Sequence, residues 1–89
     1  MDQEEADKKA LELYEKISDW VEGEPDRKPR VTVLKSPTRV EVIKSAVGAL
    51  DITVVARDQF SVRAPRSEPK NMGENEMLET VKRWLGFPI

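Results

Sequence analysis

The sequence predicts an α+β domain: an N-terminal helix, a four-stranded antiparallel β-meander and a C-terminal helix, with both helices on one sheet face. Three observations lead there. Both ends of the chain repeat apolar residues at helical spacing, the middle alternates apolar and polar residues at the period of a strand, and the strand-like runs pair so that every turn keeps their apolar residues on one side. Eighty-nine residues suffice for one hydrophobic core and not for two. Residues 1–89 are therefore read as one domain, with a helix over 1–22, a sheet over 30–64, a loop over 65–73 and a helix over 74–85.

The first element is "EEADKKALELYEKISDWV". Ala10, Leu13, Tyr14, Ile17, Trp20 and Val21 make one apolar stripe. Glu4–Lys8, Glu5–Lys9 and Glu12–Lys16 place an acid four residues before a base, the favourable order on a helix. Gly23 and Pro25 end the helix, and "EGEPDRKP" reads as a polar linker.

Four strands follow. "RVTVLK" and "RVEVIK" pair across "KSPT", with Val33 facing Val40 and Val31 facing Val42. Val42 then faces Ile52 and Val40 faces Val54 across "SAVGA", and Val54 faces Val62 and Ile52 faces Ala64 across "RDQ". One face collects Val31, Val33, Val40, Val42, Ile52, Val54, Ala56, Phe60, Val62 and Ala64, which the helices can cover. A competing reading makes 37–50 a helix, with Ser36 as cap, Pro37 in the first turn and Val40, Ile43, Val47 and Leu50 on one side. The Val and Ile residues and Gly48 favour strands.

"PRSEPKNMG" has two prolines and a glycine and reads as a loop. The last element, "ENEMLETVKRWLG", carries a second stripe of Met77, Leu78, Val81, Trp84 and Leu85. Asn71, Gly73 and Asn75 offer cap chemistry before it, and Gly86 is placed to end it. Phe87 and Ile89 form a short apolar tail.

Charge is uneven along the chain. Charged residues are 36% of the sequence and the formal net charge is −2. Residues 1–25 hold nine acids and three bases, whereas 26–70 hold five acids and ten bases. Such asymmetry marks either a polyanion-binding surface or an acidic helix neutralising a basic sheet. On the meander reading the second sheet face carries Arg30, Thr32, Leu34, Arg39, Glu41, Ile43, Thr53, Val55, Ser61 and Arg63. Arginines there can meet phosphates and aliphatic side chains can meet bases. Strong single-strand binders also stack bases on aromatics, and this face has none.

The chemistry of most catalytic sites is absent. The chain has no His and no Cys, so the usual nucleophile and base pairs, thiolate metal sites and disulfides are excluded. No phosphate-cradling glycine motif occurs. The close carboxylates Glu4/Glu5, Glu22/Glu24 and Glu74/Glu76 read as solvated surface. No cofactor, metal, small-molecule substrate or enzymatic role is expected. No apolar run reaches membrane-spanning length, the N-terminus lacks the apolar core of a signal peptide, and an intracellular, cytoplasmic protein is expected.

A helix over 37–50 would give the order of elements α-β-α-β-β-α, which is KH-like. That family grips the nucleic-acid backbone with a GxxG loop, and the matching stretch here, "SPTRVEV", contains no glycine. The meander followed by a helix is also used by some dimeric single-stranded-DNA-binding folds, an analogy of fold alone.

The sequence thus leads to a non-catalytic nucleic-acid-binding module favouring single strands of DNA or RNA. Arg30, Lys35, Arg39, Arg57, Arg63, Arg66 and Lys70 are the expected phosphate contacts, and Leu34, Ile43 and Val55 the base contacts. The alternative is a protein-interaction or homodimerisation module, in which Leu34, Ile43 and Val55 form an apolar seam rimmed by arginines.

Overall fold

The computed structural model describes residues 3–23 and 31–86. Its elements run α1 (Gln3–Glu22), β1 (Val31–Ser36), β2 (Arg39–Lys44), β3 (Gly48–Ala56), β4 (Gln59–Arg63), β5 (Lys70–Met72) and α2 (Glu74–Leu85). The strands form one antiparallel sheet in sequence order, with β1 at one edge and β5 at the other. α1 lies over β1, β2 and β3, and α2 over β4, both on the same side. This is the predicted α+β class with both helices on one face. Residues 24–29 of the predicted linker, Arg30 at the predicted start of the sheet and the Phe87–Ile89 tail lie outside the described residues.

The segment from 37 to 50 holds strands, not the competing helix, so the KH-like order does not occur. β-branched residues decide it: Val40 and Val42 point into the core on the alternation of β2 and are fully buried. The apolar "SAVGAL" that favoured a helix is explained by Leu50, which opens the core face of β3 and is buried opposite Val42.

Every predicted strand pairing is displaced by two residues. Val33 pairs with Val42, Val40 with Ile52, and Ile52 with Val62. The hairpins are tighter than expected, with Ser36 opposite Arg39 and Ala56 opposite Gln59. A shift of two keeps each side chain on its face, so the predicted core face survives a wrong register. A bulge between Val54 and Ala56 leaves Val55 outside the ladder.

The second correction is a fifth strand inside the predicted loop. Lys70–Met72 pairs with Phe60–Val62 and puts Met72 into the core opposite Phe60. Three residues with one apolar side chain carry too little alternation to be read as a strand from sequence. Pro65 opens a turn in which the Ser67 amide donates to the Ala64 carbonyl at 3.1 Å, and Arg66 takes a left-handed φ of 63°. The β2–β3 turn uses Gly48 at φ 136°, and a β-carbon there would meet Pro65 Cγ at 2.7 Å. Glycine is required at this position by its backbone angle and by the close approach of the next loop.

The core is apolar throughout: no polar or charged side chain is buried among the described residues. Ala6, Ala10, Leu13 and Ile17 of α1 and Met77, Val81 and Leu85 of α2 cover Val40, Val42, Leu50, Ile52, Val54, Phe60, Val62 and Met72. Trp84 is half-buried; its indole Nε1 donates to the Val42 carbonyl at 3.1 Å, and Lys44 Nζ lies 4.9 Å from the centre of its ring. Lys82 sits over the ring of Trp20 at 5.2 Å and links the helices at one end. Lys9 bonds Glu74 at 2.8 Å and links them at the other. The hydrogen bond to Glu74 is the main reason the Lys9 ammonium titrates above its ordinary range, against the opposing effect of burial.

The cap of α2 comes from a distant residue. Gly73 holds the N-cap position and offers no side chain, and Asp58 of the β3–β4 turn accepts a hydrogen bond from the Glu74 amide at 2.8 Å. A carboxylate there also suits the helix dipole. At the other end Gly86 adopts the left-handed conformation and donates to the Arg83 carbonyl at 3.0 Å, as expected of a C-cap glycine. Asp58→Ala is expected to lower stability by about 1 kcal/mol, and Asp58→Asn to keep most of it. Urea denaturation of the two variants checks this, and an Ala variant as stable as the wild type would contradict the assignment.

Candidate interaction surface

The helices leave the second sheet face uncovered by any described residue. Cross-strand pairing orders its side chains into rows. Arg39, Thr53, Ser61 and Asn71 lie in one row, and Leu34, Glu41, Asp51 and Arg63 in the next. Thr32, Ile43 and Ala49 make a third.

The charge on this face is balanced. Asp51, which the sequence-derived face did not include although it shares the parity of Thr53, lies directly opposite Glu41 on one side and Arg63 on the other. Two carboxylates facing each other across strands repel. Arg39 resolves the conflict: its guanidinium bonds Glu41 and lies 3.9 Å from Asp51. The four charged side chains of the described face are thus two acids and two bases.

The predicted contact residues are scattered. Arg39 and Arg63 share the open face with Leu34, Ile43 and Val55. Lys35 pairs with Val40 and Lys70 with Val62, which turns both toward the helix side. Lys35 Nζ bonds the Pro37 carbonyl at 3.4 Å, and Lys70 lies 3.6 Å from Glu76. Arg57 joins a shallow cleft with Glu5 and Glu12 of α1. Arg66 occupies the β4–β5 turn, and Arg30 is outside the described residues. Lys70 therefore meets an acid of α2, and Arg57 lies beside acids of α1.

The apolar members also divide. Leu34 and Ile43 are diagonal neighbours at the β1 end of the sheet, whereas Val55 stands beyond the charged rows at the far end of β3. The apolar surface continues around the β1 edge to the helix side, where Val31 and Val33 are only partly covered by α1. Leu34 is 49% exposed, and Leu11 of α1 is 45% exposed.

The two sheet edges differ. β5 is three residues long and leads at once into α2. β1 is six residues long and, among the described residues, has no strand on its outer side. Short strands and charged side chains are the usual protections of an edge, and β1 carries one charged residue, Lys35, near its end.

Among the described residues no helix is long and apolar enough to cross a membrane, and no cluster of Asp or Glu is arranged to hold a metal ion. A groove of about 380 Å³ runs between α1 and α2, lined by Lys9, Lys16, Glu12, Glu15 and Glu74 over Met77 and Leu78. No protein-family model, curated protein or solved structure matches this chain, so its own geometry carries the functional reading.

Arg39 is expected to serve the fold. Arg39→Ala should cost about 1 kcal/mol, and adding Asp51→Asn should restore most of the loss, as measured by denaturation of the two single variants and the double variant. Additive losses would show that the Glu41–Asp51 repulsion is not what Arg39 relieves.

Proposed function

We propose that this chain is a non-catalytic protein-interaction module whose partner joins the sheet at β1. The observation that carries the reading is that one strand combines an edge unpaired among the described residues with incompletely covered apolar side chains on both faces: Leu34 on the open side, Val31 and Val33 beneath α1. Strand addition draws affinity from main-chain hydrogen bonds and specificity from alternate side chains, and β1 presents both. The balanced charge of the open face favours a protein partner over a nucleic acid, whose binding requires an excess of uncommitted cations along a phosphate track. The absence of cysteine fits a reducing, cytoplasmic setting.

Selection of a random peptide library on the sparsely immobilised protein tests this. Enriched peptides should be extended, alternate apolar residues, and lose binding to a Leu34→Lys variant that keeps its helical and sheet signals in circular dichroism. Single-stranded DNA and RNA oligonucleotides should show no salt-sensitive binding by fluorescence anisotropy. Steeply salt-dependent oligonucleotide binding that Arg63→Glu weakens would replace this reading with the nucleic-acid one.

A further inference from the structure

We propose that the partner at β1 is a second copy of this chain, paired antiparallel to it about a two-fold axis perpendicular to the sheet; the inference rests on the interaction reading above and names its occupant. Such an axis keeps both helix layers on the same side and joins the two sheets into one of ten strands. It needs a strand compatible with itself and a helix flank able to meet its own copy, and both are present.

The strand fixes the register. Directly opposed residues must project to the same face, so the axis passes through a residue position and not between two. Centred on Leu34, the pairing places Lys35 diagonally next to its own copy, within about 7–8 Å. Centred on Val33, it sets Lys35 opposite Val31 of the other copy and moves the two Lys35 positions about 13 Å apart along the strands, four residues of rise. The Val33 register also lays exposed Leu34 against Thr32 of the second copy, covering the larger apolar side chain with a β-branched one.

The helix supplies the other contact. Lys9 and Trp20 turn toward α2, where they meet Glu74 and Lys82, and Lys16 lines the groove between the helices. The opposite flank of α1 therefore lies above the β1 edge. It carries Leu11, Tyr14, Ser18 and Val21, spaced three, four and three residues apart, a seam that one helix presents to another. Leu11 is exposed and Tyr14 and Val21 are half-buried against the core, so from Leu11 to Val21 this seam is largely apolar and only partly covered, with Asp7 one turn before it. It lies beside the sheet edge that the strand pairing would join. Two independent features, an edge strand and a second helical stripe, thus converge on one side of the molecule.

The four large apolar side chains exposed among the described residues provide the test. Leu11 and Leu34 lie on the proposed interface, while Val47, 51% exposed in the β2–β3 turn, and Val55, 51% exposed beyond the charged rows, lie away from it. Sedimentation equilibrium of the full chain should show the mass doubling with concentration. Leu11→Lys and Leu34→Lys should each weaken association at least tenfold with unchanged circular dichroism, and Val47→Lys and Val55→Lys should leave it within twofold. The chain has no cysteine, so Val33→Cys introduces one thiol per copy; opposed across the axis, these should oxidise to a crosslinked dimer, whereas Val55→Cys should not. A monomer at every concentration would overturn the proposal, and so would a dimer that Val55→Lys weakens and Leu11→Lys does not. If the chain is monomeric but still selects extended peptides through Leu34, only the identity of the occupant fails; if peptide selection fails as well, the reading of β1 as a docking edge falls with it.

Discussion

Val40, Val42, Leu50, Ile52, Val54, Phe60 and Val62 project to one side of a single sheet, and the burial of that side is the constraint on which the other elements depend. A sheet with one apolar face does not persist alone in water, and each such side chain contributes roughly 1.5–3 kcal/mol when fully buried. Two helices meet the requirement. α1 takes the β1–β3 side and α2 the β4 side, with Phe60 fully buried beneath them. Asp58, Trp84 and Lys9 then fix where the helices sit, through the Glu74 amide, the Val42 carbonyl and the Glu74 carboxylate. These three contacts join residues far apart in the chain, so the helix positions follow from the tertiary fold and not from local propensity.

Covering one face leaves two other surfaces to manage, the open face and the edges. The open face is managed by charge: Arg39 sits between Glu41 and Asp51, and Arg63 stands opposite Asp51. The far edge is managed by the brevity of β5. At β1 neither device is at work, and the apolar surface runs from Leu34 around the strand to Leu11 and Tyr14 on α1. A domain this small gains in stability from extending its core across such an edge, which connects the shape of the fold to the interaction proposed for it.

Much of the fold was legible because the side-chain period of a strand is two. The parity of Val40, Val42, Ile52, Val54, Phe60 and Val62 fixed the core face even though each pairing was displaced by two residues. The helices were legible from their stripes, and Gly86 from its place after the second. β5 was not, because three residues with one apolar side chain give no period, and its existence depends on the partner Phe60–Val62. The surface was far less legible than the core. Segment charge pointed to a basic face, but Lys35 and Lys70 turn to the helix side, and Asp51, which shares the parity of Thr53, adds a second acid to the open face. Charge counted along a sequence carries no direction, whereas hydrophobic alternation does. That β1 is an edge follows from the strand order of the whole sheet, which no local pattern in its six residues encodes.

Amide hydrogen exchange of Val31–Ser36, followed residue by residue at low and high protein concentration, tests most directly whether β1 is the edge at which this molecule joins another. The account predicts that in dilute protein the outward amides of β1 exchange much faster than those of β2 and β3, and that they slow as concentration rises while the rest of the sheet is unchanged. Outward β1 amides as protected as those of β3 at every concentration would mean that the edge is already satisfied within one chain, and would contradict it.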